Sequence, residues 1–248
     1  MRIDVLFAAA SLGPSDVAGR VVAVIDVLRA STTIATALAH GARAVIPFES
    51  SDDVVMRAKA FERRDVRMAG ERKMLPIPGF DLGNSPREFT REAVEGKTVL
   101  LTTTNGTPAI ANTQGARDVI IASYVNYTAV LTMLRTALRG GTDVAIICAG
   151  RDRQFALEDA GCAGRYVNNV SKRMSGMVLN DAAQACALID RKYGEQVQRL
   201  FEASEHGRAL RDAGFGSDLE ACAAVDSYPV IPLYQDRQIT KLGPDRER

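Results

Sequence analysis

Residues 21–33 read VVAVIDVLRASTT, and this stretch decides the fold. The uninterrupted apolar run at 21–25 is typical of a strand that is buried on both faces of a parallel sheet. Asp26 ends the run, Arg29 follows three residues later, and the hydroxyl cluster at 31–33 can cap the helix that comes next. Because ligands of open α/β sheets bind at the carboxyl ends of strands, these side chains predict a corner suited to chemistry on a phosphate or a similar oxyanion.

Strand-like and helix-like segments alternate through the first part of the chain. Strands are predicted over 3–7, 21–25, 44–48, 98–101, 118–122 and 143–148. Helices are predicted over 34–39, 51–64, 109–112 and 127–138. The repeated β-α-β order indicates a mostly parallel sheet with right-handed crossovers.

The second part of the chain is mainly helical in pattern. Residues 155–213 show little strand signal, and a strand returns only at 230–233, where a proline favours an edge position. We therefore expect a three-layer α/β/α fold, with a mostly parallel sheet and a helical C-terminal elaboration. We expect one domain over 1–240 and a frayed tail over 241–248.

The composition of the chain limits which binding partners and which cellular compartment are expected. The 248 residues contain 31 Lys and Arg against 30 Asp and Glu, so no general nucleic-acid partner is expected. The four cysteines are widely spaced and histidines number only two, which favours reduced, buried thiols in the cytosol over a zinc site. No signal-peptide pattern and no apolar stretch of roughly 20 residues is present, so a cytoplasmic protein without a membrane partner is expected. The sequence leaves open whether the chain forms a homo-oligomer.

A second group of candidates lies in residues 69–88, which are predicted to form a long loop rich in Gly and Pro. Ser85, with a proline after it and Glu88 three residues later, makes a capping box, which explains these residues without a function. It does not explain Glu71 or Asn84. Polar loops of this length are often functional, so both residues stay open between a site role and a structural role.

A third group follows the strand at 98–101. The sequence TTTNGTP at 102–108 combines hydroxyls, a tight Asn-Gly turn and a helix start. The amides of such a turn can converge on an anion, which makes Thr104, Asn105, Gly106 and Thr107 candidate phosphate ligands. The alternative is an ordinary strand-to-helix turn with a threonine cap.

A fourth group provides further acids. Glu158 and Asp159 lie near a predicted helix start, where they can simply complement the helix dipole. Asp26 alone supplies a single ligand, however, and magnesium takes one or two carboxylates besides waters and phosphate oxygens. Glu158 or Asp159 is therefore the best candidate for a second acid from another strand end.

Several other chemistries are disfavoured. Leu28 stands where the haloacid-dehalogenase phosphatases need a second acid, and Cys148 lacks the loop and arginine that a cysteine phosphatase uses. His40 and His206 are each followed by glycine at predicted helix ends, where compensation of the helix dipole explains them. Asp218 is interpreted as a helix-start residue.

Taken in order, these groups resemble one family, the magnesium-dependent 2-phosphosulfolactate phosphatases. The matching blocks lie at 25–33, 70–72, 79–86, 103–107 and 157–159. The resemblance runs from about residue 3 to residue 233. Where members of the family often carry Arg-Ala-Thr, this chain has Arg-Ala-Ser at 29–31, a change that keeps the hydroxyl.

The resemblance implies that a small phosphorylated 2-hydroxy acid is the substrate. It implies hydrolysis of 2-phosphosulfolactate to sulfolactate and phosphate with Mg²⁺ as cofactor, a step of coenzyme M biosynthesis in methanogens. On the matching positions, Asp26 and Arg29 are assigned as catalytic, with Asp26 and either Glu71 or Asp159 holding the metal and Arg29 clamping the phosphate. The residues assigned to substrate binding are Ser31, Thr32, Asn84, Ser85, Thr104, Asn105, Gly106 and Thr107.

Three points stay open at this level. Arg72, Arg87 or Arg151 could bind the carboxylate or sulfonate of the substrate, and no residue is assigned as the general acid. A non-catalytic protein that binds a small anionic metabolite is the alternative function. A synthase or transferase that handles phosphorylated acids is a further one.

Overall fold

Buried apolar runs form the strands of one central sheet. The computed structural model describes residues 1–172, 174 and 176–243. The strands of these residues are β1 (Arg2–Leu6), β2 (Val21–Ile25), β3 (Ala44–Phe48), β4 (Val66–Arg72), β5 (Leu75–Pro76), β6 (Thr98–Thr102), β7 (Asp118–Ala122), β8 (Val144–Cys148), β9 (Val178–Leu179), β10 (Pro232–Gln235) and β11 (Gln238–Lys241).

Helices cover both faces of this sheet. They are α1 (Pro14–Val17), α2 (Ala30–Ala39), α3 (Ser51–Ala58), α4 (Arg91–Val94), α5 (Gly106–Ala111), α6 (Tyr127–Arg139), α7 (Leu157–Ser171), α8 (Asp181–Tyr193), α9 (Val197–Ala203), α10 (Glu205–Leu210) and α11 (Gly216–Ala223). A π-helical turn, Arg211–Phe215, joins α10 to α11. Within the described residues, no helix combines the length and the apolar character that crossing a bilayer requires.

Strand β2 shows how the layers arise. Val21, Ala23 and Ile25 point into a core that they share with α6, α7 and the C-terminal helices. Val22 and Val24 point to the opposite face, into a core shared with α2 and α5. Because successive side chains of a strand alternate between faces, an all-apolar strand needs a helical layer on each side. This confirms the three-layer α/β/α fold with a mostly parallel sheet.

The order of the strands differs from the expected one near the C-terminus. The sheet runs β5-β4-β6-β3-β11-β10-β7-β2-β8-β1-β9, so the hairpin β10–β11 lies in its interior. The predicted edge position of the strand near residue 230 is therefore wrong. Pro232 is tolerated there because it is the first residue of β10, and the first position of a strand accepts proline.

The hairpin divides the parallel strands into two halves. β10 pairs antiparallel with β7, β11 with β10, and β11 with β3, so the β4-β6-β3 half runs opposite to the half that contains β2. In a flat sheet β6 and β2 would lie five strand spacings apart, about 24 Å, with their carboxyl ends at opposite edges. Gly106, just after β6, nevertheless packs against the carboxylate of Asp26, just after β2. The sheet must therefore curl, and the curl brings the two carboxyl ends together.

Three further boundaries differ from the predicted ones. The helix predicted over 51–64 ends at Ala58, and β4 then occupies part of the predicted long loop. At the C-terminus, β11 extends to Lys241, and the amide of Leu242 still donates to Ile231 O. The rest of the predicted tail, 244–248, lies outside the described residues, and the single-domain organisation stays a prediction.

Candidate functional site

A cavity of about 430 Å³ opens where the carboxyl ends of β2, β4 and β6 meet. Its lining combines acids, cations and amides, and it includes the histidine of α10. The lining residues are Asp26, Leu28, Arg29, Glu71, Arg72, Lys73, Met74, Asn84, Thr104, Asn105, Arg151, Asp152 and His206. Residues from three predicted groups therefore meet in one place.

Asp26 is a buried acid of the lining. Among the described residues, its Oδ1 accepts the amide of Ala30 at 3.3 Å and its Oδ2 accepts no hydrogen bond. A Cβ on Gly106 would lie 2.6 Å from Oδ2, so only glycine leaves room for this carboxylate. The pKa of Asp26 is raised to about 6, mainly by burial, which the charge of His206 opposes and the charges of Glu71 and Glu158 reinforce.

The raised pKa of Asp26 predicts a pH-dependent penalty on folding. Between about pH 4 and pH 6 the unfolded chain releases this proton while the folded protein retains it, so rising pH destabilises the folded state, by a few kcal/mol in total. In metal-free buffer, Asp26→Asn should equal the wild type in stability at pH 4 and exceed it above pH 6. Urea unfolding at several pH values measures this difference, and parallel curves for the two proteins would contradict it.

Glu71 joins two strand ends. It lies in β4 and not in a loop, and Oε1 accepts the amide of Thr104 at 2.7 Å while Oε2 accepts that of Met74 at 2.9 Å. The strand was missed because its sequence, VRMAGER, lacks an alternating apolar pattern. Its carboxylate thereby fixes the turn after β6 against the end of β4.

Arg29 is buried in an ion pair that sequence analysis did not predict. Its Nη1 donates to Asp218 Oδ2 at 2.8 Å, its Nη2 donates to Met74 O at 2.8 Å, and its guanidinium lies 4.4 Å from the centre of the Phe215 ring. Asp218 lies in the first turn of α11, as predicted, but its carboxylate also accepts the hydroxyl of Ser85 at 2.7 Å. Asp218 therefore positions both Arg29 and the loop before Pro86–Glu88.

Three of the hydroxyl residues assigned to substrate binding lie behind the cavity lining. Ser31 accepts the amide of Asp26, and Thr32 donates to Val27 O, so both hydroxyls stabilise the β2–α2 turn. Thr107 accepts the amide of Thr103 within the turn before α5. These hydroxyls act on the protein's own backbone.

Two predicted helix caps are wrong for the same reason. Helix α2 already begins at Ala30, so the hydroxyls at 31–33 lie inside its first turn and do not cap it. The hydroxyl of Ser85 binds Asp218 instead of its own helix turn, and Glu88 accepts the amide of Gly83 at 2.6 Å. In both places the side chains hydrogen-bond groups other than the helix amides that a cap would hold.

The remaining substrate-binding candidates lie at the cavity. Asn84, Thr104 and Asn105 line it, and Gly106 packs behind Asp26. Asn105 Oδ1 accepts the amide of Asp152 at 3.2 Å, which joins the turn after β6 to the loop after β8. In the described part of the chain, Asn84 Oδ1 is buried without a hydrogen-bond partner. Such an orphaned atom points to a ligand or a bound water.

Asp159, the other predicted metal ligand, does not line the cavity. Its Oδ1 accepts the amide of Val27 at 2.9 Å and its Oδ2 that of Gly150 at 3.1 Å. Burial raises the pKa of Asp159, and the neighbouring charges of Asp26 and Glu158 act in the same direction. In this position Asp159 holds together the chain segments that follow β2 and β8.

His206 is the residue of the site that sequence analysis misread. It lies in the first turn of α10, not at a helix C-terminus, because Ser204 caps that helix by accepting the amide of Gly207 at 2.9 Å. Its Nδ1 lies 3.0 Å from Oε1 of the buried Glu158. The serine two residues earlier is a helix-start signal that could have identified this placement. His40, in contrast, does lie at the C-terminal end of α2.

The cations of the site fall into two groups. Arg72, Lys73 and Arg151 line the cavity together with Arg29, and Arg72 is held by Thr102 Oγ1 at 2.9 Å. Arg87 is not part of the lining and donates to Ser217 Oγ on the protein surface. Of the three cations considered for the acid groups of a substrate, two therefore face the cavity.

The donor set suits a magnesium ion that is shared with a phosphate. Within the described residues, no group of three or more His, Cys, Asp or Glu side chains converges closely enough to hold a metal ion by itself. Magnesium does not require such a group, since it keeps several waters and takes one or two carboxylates besides phosphate oxygens. Asp26, Glu71 and the orphaned Asn84 Oδ1 offer oxygen ligands of this kind.

The four cysteines offer no alternative nucleophile. All are free and buried. Cys148 lies in β8, and burial raises the pKa of its thiol well above the usual value. A thiol in that state is a poor nucleophile.

Comparison with known proteins places the chain in a family. The family model described as 2-phosphosulpholactate phosphatase matches residues 7–237. A relative from Symbiobacterium thermophilum is 40% identical over 227 residues, which cover 92% of this chain and 96% of the relative. A relative from Thermotoga petrophila is 38% identical, and the match covers 88% of this chain and 90% of the relative. A relative from Clostridium botulinum Eklund 17B is 34% identical, and the match covers 98% of this chain and 100% of the relative. All three carry the name probable 2-phosphosulfolactate phosphatase. The chain that builds this acid- and cation-lined cavity belongs to the 2-phosphosulpholactate phosphatase family.

Proposed function

We propose that the protein is a magnesium-dependent phosphatase that hydrolyses the phosphate monoester of a 2-hydroxy acid, 2-phosphosulfolactate, to sulfolactate and phosphate. One observation carries the proposal: a single cavity combines the carboxylates of Asp26 and Glu71 with the cations Arg29, Arg72, Lys73 and Arg151. Phosphoryl transfer depends mainly on positioning and charge neutralisation, which this lining provides. The names of the relatives support the same substrate.

Two of the acids that line the cavity are the proposed magnesium ligands. Asp26 and Glu71 would hold Mg²⁺, which when bound neutralises phosphate charge and lowers the pKa of a coordinated water. Gly106 keeps the space beside Asp26 Oδ2 open, and the two amides that Glu71 accepts fix its carboxylate in place. Asp159, set behind the lining, keeps the β2 turn rigid.

Arg29 is the proposed phosphate clamp. A guanidinium carries five N–H donors, and Asp218 and Met74 O account for two of them. The others can bind phosphate oxygens in the paired geometry that lysine cannot match. Thr104 and Asn105 add neutral donors at the opposite wall.

The remaining cations fit the other acid groups of the substrate. 2-Phosphosulfolactate carries a carboxylate and a sulfonate beside its phosphate, and Arg72 and Arg151 provide a guanidinium for each. A small ester with three anionic groups therefore suits this cavity better than nucleic acid or a membrane surface. The free, buried cysteines support a reducing compartment, and we place the protein in the cytoplasm.

The test is phosphate release from purified protein. 2-Phosphosulfolactate and 2-phospholactate, which lacks the sulfonate, are incubated with Mg²⁺ or with EDTA. We expect release only with Mg²⁺, and a higher KM for 2-phospholactate because Arg72 or Arg151 then has no partner.

Each other outcome contradicts a stated part of the proposal. Binding without phosphate release would favour a non-catalytic binding protein, and transfer of the phosphoryl group to an acceptor other than water would favour a transferase. Equal release in EDTA would remove magnesium from the proposal.

A further inference from the structure

The structure contains a buried histidine–carboxylate pair at the cavity that none of the roles above uses. His206 lines the cavity, and its side chain is 13% exposed, while that of its partner Glu158 is 2% exposed. A carboxylate oxygen only accepts hydrogen bonds, so Nδ1 of His206 carries the hydrogen and donates to Glu158 Oε1 at 3.0 Å. Glu158 lies outside the lining. The ring therefore turns its Nε2 edge toward the cavity.

The hydrogen bond to Glu158 fixes the imidazole ring of His206 and leaves Nε2 as the nitrogen that can react. In the described part of the chain, Nε2 has no hydrogen-bond partner. The carboxylate behind Nδ1 fixes the tautomer and the orientation of the ring, so Nε2 is the nitrogen that can exchange a proton with a substrate. Asp26 lies near enough for the charge of His206 to lower the pKa of its carboxyl. The ring is thus held beside the acid that we assign to the phosphate end of the cavity.

Several charged groups near His206 form ion pairs with one another. Arg151 pairs with Glu205, which precedes His206 on α10, and also lies 3.7 Å from Asp152. On the elements packed against α10, Glu202 of α9 pairs with Arg211, and Asp218 of α11 pairs with Arg29. Glu158 of α7 hydrogen-bonds the ring, and Asp26 interacts with its charge.

We infer that His206 is the general acid that protonates the leaving oxygen of the substrate, with Glu158 as its positioning residue. This inference rests on the proposed phosphatase function. As the bond between phosphorus and the ester oxygen breaks, its electron pair stays on that oxygen, which takes the proton from Nε2 and leaves as the alcohol. The attacking water supplies the new oxygen on phosphorus, and the dihydrogen phosphate that results returns one proton to Nε2.

The test compares leaving groups. An alkyl ester such as 2-phosphosulfolactate releases a strongly basic oxygen that needs the proton, whereas 4-nitrophenyl phosphate releases a stable anion that does not. His206→Gln should lower kcat/KM roughly hundredfold or more on the alkyl ester and less than about tenfold on the aryl ester. Glu158→Gln should show the same selectivity with a smaller loss, because its amide oxygen still accepts from Nδ1.

The matched control is His40→Gln, which changes the only other histidine of the chain. His40 contacts Phe89 O at 2.6 Å and does not line the cavity, so both esters should be hydrolysed at the wild-type rate. The pH profile on the alkyl ester is a second readout. The wild type should lose kcat/KM on the alkaline side as His206 deprotonates, and His206→Gln should lack this limb.

The outcomes separate the inference from the function it rests on. A wild-type protein that releases phosphate from neither ester overturns the proposed function itself. The role of His206 is overturned if the wild type is active and His206→Gln loses kcat/KM equally on both esters or on neither. It is also overturned if His206→Gln keeps the alkaline limb of the pH profile. If the wild type hydrolyses only the alkyl ester, the pH profile decides.

Discussion

Replacing Asp26 by asparagine is expected to lower magnesium-dependent kcat/KM at least about hundredfold while leaving the protein folded. Asparagine keeps the shape of the side chain and can still accept the amide of Ala30, but it removes the negative charge that faces the cavity. Phosphate release at saturating Mg²⁺ measures the loss, and urea unfolding verifies the fold.

A matched variant tests whether removing any one negative charge from the protein is enough to lower kcat/KM. Asp52→Asn makes the same substitution at an exposed position in the first turn of α3 and should leave turnover unchanged. Near-normal turnover of Asp26→Asn would remove Asp26 from the metal site. The cavity would then depend on Glu71 alone for its magnesium ligand.

Replacing Asp218 by alanine is expected to cost about 3–5 kcal/mol of stability and to abolish turnover. The ion pair with Arg29 is almost fully buried, with side-chain exposures of 2% and 3%. Its loss would leave a buried guanidinium without a counter-charge and the hydroxyl of Ser85 without an acceptor. Urea midpoints compared with those of the wild type give the cost.

Two further variants define what this pair does. Glu202→Ala removes the acid of an exposed ion pair with Arg211 and should cost less than about 1 kcal/mol. Arg29→Met combined with Asp218→Leu should regain much of the lost stability, since apolar side chains can replace a buried ion pair. The double variant should remain inactive. Recovery of turnover in it would show that Arg29 does not bind the phosphate, and a loss below about 1 kcal/mol in Asp218→Ala would contradict the buried-charge argument.

Features of the fold that are encoded locally were predictable. The all-apolar run of β2 and the repeated strand-helix alternation are sufficient for a three-layer α/β/α fold. β4 was not predictable, because its polar, glycine-containing sequence is a strand only through parallel pairing with β6. The interior position of β10 was also missed, because its pairing with β7 depends on contacts more than 100 residues apart in the chain.

The residues of the candidate site also divide into those that the local sequence identifies and those that depend on distant contacts. Asp26 and Thr104 could be identified because each lies just beyond the end of a predicted strand, where the fold class concentrates ligands, whereas Glu71 was singled out only as part of a long polar segment. Asp218 and His206 follow no such rule. Asp218 is 189 positions from Arg29, and His206 is 48 positions from Glu158. Both lie in the first turn of a helix, and the local sequence there is that of an ordinary helix start.

The interior hairpin has a consequence for how the protein is made. The half-sheet with β2 and the half-sheet with β4 and β6 are joined through β10 and β11, which follow all the other described strands in the chain. The ribosome therefore releases the segments that carry Asp26 and Glu71 well before the segment that fixes their distance. We therefore expect a nascent chain that ends before Gln238 to lack the strand pairing that joins the two half-sheets.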